Sequence, residues 1–317
     1  MPRWGLCCIF RREPIKFART TASFLQKKPR QEQLRRLAEI CTRNAEALQQ
    51  ALAFCRENGI GAFRINSQIL PLKTHPQTGY GIAELPGHRE IVAKFRDCGA
   101  FSRRHDLRTS FHPDQFILLS SPSAQVTRQS MADLRYHAEV AEWVAADVIN
   151  IHGGGAYGDK AQALKRLAGR IGELPEAIRA RLTLENDDRV YSPADLLAVC
   201  QTAGIPLVYD VHHHRCLPDG LSEAAATAMA LTTWNREPLF HVSSPLTPWG
   251  QGNPRNHHDF IDIADVPESW RGMDITIDVE AKAKELAVLQ LMAAIAASPA
   301  SAAGRNPLRP FCGTGTT

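Results

Sequence analysis

Short apolar runs rich in β-branched residues alternate along this chain with longer stretches of helical periodicity, and that alternation limits the fold more than any other feature. The runs are Trp4–Ile9, Ile60–Ile65, Leu107–Phe111, Asp147–Ile151, Arg181–Leu184, Pro206–Tyr209, Leu239–Val242 and Ile275–Val279. Helical patterns fill the intervals at Gln31–Asn58, Gly87–Cys98, Ser123–Ala146, Lys160–Arg179, Pro193–Thr202, Leu221–Thr232 and Ala281–Ala297, with a short one near Glu268. Several carry start and stop signals. Ser192-Pro193 followed by Asp195 reads as a cap with proline in the first turn, and Asn58-Gly59 and Ala203-Gly204 read as helix ends.

Eight strands alternating with helices predict an α/β fold, a (β/α)8 TIM barrel; an open doubly wound sheet is the competing architecture. No Pro/Gly/Ser-rich linker divides the middle, so residues 1–297 are expected to form one domain, and residues 298–317, small, polar and Pro/Gly-rich, a disordered tail. The 317 residues are 44% hydrophobic and 22% charged, which excludes disorder as the main state. No apolar run is long enough for a membrane span, and the first residues lack a signal-peptide core, which predicts a cytoplasmic protein, nucleoid-associated in a bacterium. Eight cysteines without a C-x-x-C pair point to reduced thiols, not a disulfide framework or zinc ribbon.

The barrel predicts that functional side chains gather at the C-terminal ends of many strands. Six runs do end in a good metal ligand: His112, His152, Glu185, Asp210, His241 and Glu280. One such residue is ordinarily a hydrogen-bonded polar group; six aimed at one mouth repel and desolvate one another unless cations neutralise them. Loops after the strands add His75, the triplet His212-His213-His214 and the pair His257-His258. Imidazole with carboxylate suits Zn, Mn or Fe, and more than four ligands implies more than one ion, the usual equipment for phosphoester hydrolysis. The run Gly153 to Gly158 also fits G-x-G-x-x-G after a strand, a dinucleotide fingerprint. Histidines and acids on the other strands have no part in such a site, so the glycines are read as a tight turn and no dinucleotide cofactor is expected.

Charge is unevenly placed. Residues 1–36 hold ten Lys or Arg against Glu13 and Glu32, a local net charge of +8 that leaves −4 for the rest, which suggests a polyanion-facing segment beside an acidic centre.

The ordered motifs FRI at 63–65, THP at 74–76, SFHPDQF at 110–116, HGGGAYGDK at 152–160, LEND at 184–187, YDVHHH at 209–214, FHVSSP at 240–245, HHDFI at 257–261 and VEAKAKE at 279–285 resemble the UV-damage endonucleases, metal-dependent TIM-barrel DNA repair enzymes. The resemblance implies incision of double-stranded DNA on the 5′ side of pyrimidine dimers, 6-4 photoproducts and some other lesions. It places metal ligands at His75, His112, His152, Glu185, Asp210, His213, His241, His257 and Glu280. Of these, Glu185, His241 and Glu280 are expected to be catalytic. Implied with them are two or three divalent ions, Mn²⁺ first and Zn²⁺ or Mg²⁺ as alternatives, and a monomeric enzyme.

The family's Gln-Tyr pair inserted at the lesion falls on Gln115 and Phe116, although Phe116 reads alternatively as a core residue. Arg103, Arg104, Arg108 and the basic N-terminal segment are expected to contact phosphates. Three positions depart from the family pattern: Leu239 stands where a carboxylatable lysine is typical, Phe10 near an expected Asn, and Leu6 near an expected aromatic. Other readings of the same barrel are an abasic-site endonuclease, a divalent-metal sugar isomerase or epimerase, and a damage-binding protein without chemistry.

Overall fold

Every expected run contributes a strand in the computed structural model, which describes residues 1–114 and 116–298. The strands are β1 Arg3–Cys7, β2 Ala62–Ile65, β3 Arg108–Phe111, β4 Val148–His152, β5 Leu182–Glu185, β6 Leu207–Val208, β7 Leu239–Val242 and β8 Thr276–Val279. All are parallel, in the order β6-β5-β4-β3-β2-β1-β8-β7. The two ends of that order meet. Asp210 and His241 form a parallel bridge, and the His241 N–H donates to the Tyr209 carbonyl at 3.1 Å, closing a TIM barrel. Residues 299–317, where a disordered tail is expected, lie outside the described residues, as does Gln115.

Most helices follow their signals. The Ser192 hydroxyl accepts the Asp195 N–H while the Asp195 carboxylate accepts the Ser192 N–H at 2.8 Å, a reciprocal cap that starts the helix Pro193–Ala203; Gly204, at φ 65°, ends it. The single helix expected over Lys160–Arg179 is instead two, Lys160–Gly172 and Glu176–Arg179. Pro175 is the reason, since it has no N–H to continue the ladder and pushes the residue before it toward extended backbone. The last helix begins at Glu285, not Ala281, and an additional helix, Val211–Cys216, follows β6 directly. Gly154 and Gly158 sit at φ 85° and 83°, so the glycine run after β4 does make a tight turn before Asp159 caps the next helix.

Strand alternation sends residues two apart to the same side. Outside the barrel, Phe63, Phe111, Ile149, Leu184, Phe240 and Ile277 are buried in the main apolar core beneath the helices. Inside, polar layers stack from floor to mouth: the Thr183 hydroxyl donates to Asn150 Oδ1 at 2.9 Å, and the Asn150 amide donates to Glu185. At the floor, Leu239 packs with Val148 and Val208, with Trp234 beneath.

Arg108 also closes this floor. Its guanidinium donates twice to the Asp147 carboxylate, at 3.1 and 2.8 Å, and to the Pro238 carbonyl at 3.2 Å and the Thr276 hydroxyl at 3.0 Å. The expected phosphate contact by Arg108 is therefore corrected: it begins β3, opposite the mouth, and is buried. Arg103 and Arg104 end the helix His88–Arg104 that leads into the same strand, so they too belong to the far end. Arg3 is likewise drawn away, bonded to Glu237 at 3.0 Å and Asp106 at 3.3 Å, so the basic N-terminal segment is split between the two ends.

The seven cysteines within the described residues are free, and burial pushes the Cys55 thiol up to about 12. Among the described residues no helix is long and apolar enough to cross a membrane. Replacing Arg108 by Met strips the donor from a buried carbonyl, a hydroxyl and a carboxylate at once. A loss of about 2–4 kcal/mol is expected, measured as a lower urea midpoint; an unchanged midpoint would show that the floor does not depend on the guanidinium.

Candidate metal centre

Seven of the nine expected ligands converge at the mouth. His112 follows β3, His152 and Glu185 end β4 and β5, Asp210 follows β6, His241 lies in β7 and Glu280 follows β8. His213 joins them from the helix Val211–Cys216, which starts there because Asp210 caps it: Asp210 Oδ1 accepts the His213 N–H at 2.8 Å. Three overlapping sets result, His112/His152/Glu185, Glu185/Asp210/His213 and Asp210/His241/Glu280, and within each the candidate ligand atoms lie within 4.8 Å of one another. Glu185 and Asp210 are each shared between two sets.

Glu185 sits at the centre, 1% exposed. Its Oε2 meets His112 Nε2 at 2.8 Å, and its Oε1 faces His241 Nδ1 at 3.2 Å and His213 Nδ1 at 3.3 Å. Burial alone would raise its pKa, but the imidazoles of His241, His152 and His112 hold the carboxyl well below its ordinary range. Glu280 is also held low despite burial, chiefly by Arg64, which is paired with it, and then by His241. Burial would lower the two basic rings; instead Glu185 and then Glu280 raise His241 to about 9, and Asp210 and Glu185 raise His213 well above its ordinary value. His152 goes the other way, lowered by burial.

The donor set suits divalent ions on an observation of its own. Asp210 Oδ2, His152 Nδ1 and His241 Nε2 are buried without a hydrogen-bond partner. Buried polar atoms are seldom left so, and here they point into one cluster of nitrogen and carboxylate oxygen donors.

Two expected ligands stand apart. His75 Nδ1 accepts the Gln77 and Thr78 N–H groups, both at 3.2 Å, which leaves its proton on Nε2, and the ring lines a separate 730 Å³ cavity with Asp133 and Phe116. His257 borders the cluster: its ring is 6.4 Å from His213 and 5.0 Å from His212, and its Nδ1 is 3.4 Å from the Ser243 hydroxyl. Within the triplet, His214 is occupied by Tyr209 at 2.8 Å and Asp219 at 2.9 Å, so His213 is the one that faces the carboxylates. Phe116 is 71% exposed, which removes its reading as core.

Three contributors escape a reading of strand ends. Arg64 reaches Glu280 from β2, and Asn150 braces Glu185 from within β4. Asp278, two residues before Glu280, is buried with both oxygens unpartnered and lies 3.8 Å from His241 Nε2. Alternation from Glu280 was the available signal for it. Gly5 makes room, since a Cβ there would meet Asp278 Oδ1 at 2.1 Å.

The model of the UV-endonuclease UvdE family matches residues 3–302. The chain belongs to the UvdE family. Among UvdE relatives, the UV DNA damage endonuclease of Bacillus velezensis is 36% identical over 305 residues, covering 92% of this chain and 91% of its own. The crystal structure of SacUVDE matches with a TM-score of 0.83 at 26% identity, over 93% of this chain and 98% of that one. Endonuclease IV from Thermus thermophilus shares the fold, with a TM-score of 0.58 at 17% identity over 93% and 98% of the two chains.

In this UvdE chain the protonated His241 and His213 rings supply the positive charge that the carboxylates need, and ligation requires neutral rings. Ion uptake should therefore release protons. Apparent Mn²⁺ affinity is expected to rise with pH through the neutral range until His241 is neutral, above about 9. Chelator-competition titrations across that range, with calorimetry in two buffers of different ionisation enthalpy, measure it; a flat affinity with no proton release would show both rings neutral beforehand.

Proposed function

We propose that this chain is a metal-dependent endonuclease that incises double-stranded DNA on the 5′ side of UV photoproducts, pyrimidine dimers and 6-4 photoproducts among them, leaving a 3′-hydroxyl. The observation that carries this reading is the set of three overlapping ligand groups sharing Glu185 and Asp210 at a barrel mouth, in a chain of the UvdE family. Residues 1–297 would act as one unit and as a monomer, on DNA in the cytoplasm or nucleoid.

His112, His152, Glu185, Asp210, His213, His241 and Glu280 would hold two or three divalent ions, Mn²⁺ for preference, with His257 at the margin and His75 joining only if its ring turns. The chemistry that such ions supply when bound is Lewis acidity toward a water and toward the oxygens of a phosphodiester. The chain's own part is positioning. Arg64 fixes Glu280, Asn150 and His112 fix Glu185, and the His241 ring stands between Glu185 and Glu280 with its Nδ1 toward both carboxylates. Leu239 leaves the floor beneath His241 apolar, so a modified lysine could supply no anion there, and Glu185 and Asp210 would be the carboxylates common to neighbouring ligand sets. At the rim Phe116 offers an exposed ring for insertion beside a damaged step, with Gln115 as its neighbour in sequence; unstacking such a step is less costly than unstacking intact duplex.

Supercoiled plasmid, irradiated or not, incubated with the protein and Mn²⁺ tests the reading. Nicking of irradiated plasmid alone is expected, with oligonucleotides placing the cut 5′ to the lesion; equal nicking of both plasmids, or a preference for abasic over photoproduct substrates, overturns it. Glu185→Gln should lower incision about 100-fold or more while lesion binding survives, because a ligand shared by two sets is lost but phosphate contacts are not. Replacing Gln115 and Phe116 together by Ala should instead cut the preference for damaged over intact duplex about tenfold. Unchanged discrimination in gel-shift titrations would remove the wedge role.

A further inference from the structure

Between β8 and the last helix the chain makes a turn that its residues do not favour. Lys284 has φ 54° and ψ −123°, and the Leu286 N–H donates to the Ala283 carbonyl at 3.2 Å. These are the features of a type II′ turn with lysine at the position that takes glycine. A long side chain there is strained, and strain of this kind persists only where surrounding structure enforces it. The enforcing contacts are present. The next residue, Glu285, is buried, and its carboxylate accepts backbone N–H groups from Arg11 at 2.7 Å, Arg12 at 2.6 Å and Glu13 at 3.3 Å, tying this turn to the loop after β1. The Lys284 carbonyl in turn accepts the Ala287 and Val288 N–H groups at 3.0 and 3.1 Å.

The strained side chain sits at the junction of two cavities that flank Glu280. One, of about 520 Å³, is also lined by Arg19, His112 and His152; the other, of about 310 Å³, is also lined by Lys282, Arg255 and His257; Arg64 and Lys284 line both. Two of these cations are already engaged, Arg64 with Glu280 and Arg255 with Asp188 at 3.1 Å. No carboxylate among the described residues pairs with Lys284, Lys282 or Arg19. An unpaired cation held in a strained turn, lining both cavities beside the candidate ligand Glu280 with more cations than carboxylates around it (Asp114 and Glu280 are the carboxylates), is placed for an anion larger than a single ion.

We propose that Lys284, with Lys282, forms a subsite for a DNA backbone phosphate next to the one that is cleaved, the smaller cavity receiving the adjoining sugar-phosphate unit. This rests on the reading that the mouth acts on DNA. It assigns Lys284 to holding the strand as it passes Glu280, and leaves the bond-breaking chemistry to the ligand cluster.

Lys284→Gly and Lys284→Met separate the charge from the turn. Glycine suits the turn, so the first variant should melt at or above the wild-type temperature; methionine keeps length and strain but not charge. Both should bind duplex about tenfold more weakly at low salt and lower the slope of log Kd against log salt by about 0.9, the contribution of one phosphate. Arg179→Ala, at the opposite end of the barrel, should leave the slope unchanged. Single methylphosphonates walked along the strand then locate the contact: a neutral linkage beside the cut should weaken wild-type binding and cost less in Lys284→Met, where only Lys282 still meets that phosphate. An unchanged slope in both variants, or equal cost of every neutral linkage in variant and wild type, overturns the assignment. These readouts require no incision, so a failed incision assay with altered slopes overturns the endonuclease reading alone, and normal incision with unaltered slopes overturns the Lys284 assignment alone.

Discussion

An ionised carboxylate in the middle of a barrel is the constraint around which this molecule is arranged. Glu185 is almost completely buried and held in its charged form, and three imidazoles and an amide surround it. Transferring such a group from water is costly unless positive charge and donors are already in place. The layers below answer that demand: Thr183 orients Asn150, and Asn150 donates to Glu185. Asp210 serves twice, capping the helix that brings in His213 with one oxygen and facing the cluster with the other.

The two ends of the barrel solve opposite problems. At the floor, Arg108 is held by Asp147, Pro238 and Thr276, and Leu239 joins an apolar cluster. At the mouth, carboxylate and imidazole atoms remain unpartnered. The basic residues divide accordingly. Arg3, Arg103, Arg104 and Arg108 lie toward the floor, whereas Arg19, Lys282 and Lys284 line the cavities around Glu280.

Much of this was legible because parallel strands place their last residues at one rim. His112, His152, Glu185, Asp210, His241 and Glu280 could be found by reading where each apolar run stops, and the family resemblance added His213. Net charge was a poorer guide, since Arg108 is close in sequence to His112 yet the extended chain of β3 carries it to the other end. The break at Pro175 was present in the sequence but masked by apolar residues that keep helical spacing on both sides. The pairing of Arg64 with Glu280, the tautomer imposed on His75 by its own turn and the unpartnered Asp278 depend on packing between segments far apart in the chain, which no local pattern reports.

The closure of the barrel has a mechanical meaning. Seven junctions between neighbouring strands are ladders, but β6 and β7 meet through one bridge, and its two residues, Asp210 and His241, are both candidate ligands. An ion shared by them under the proposed ligand set would act as a rivet across the weakest joint of the wall. Loading the centre would then also brace the barrel along that line.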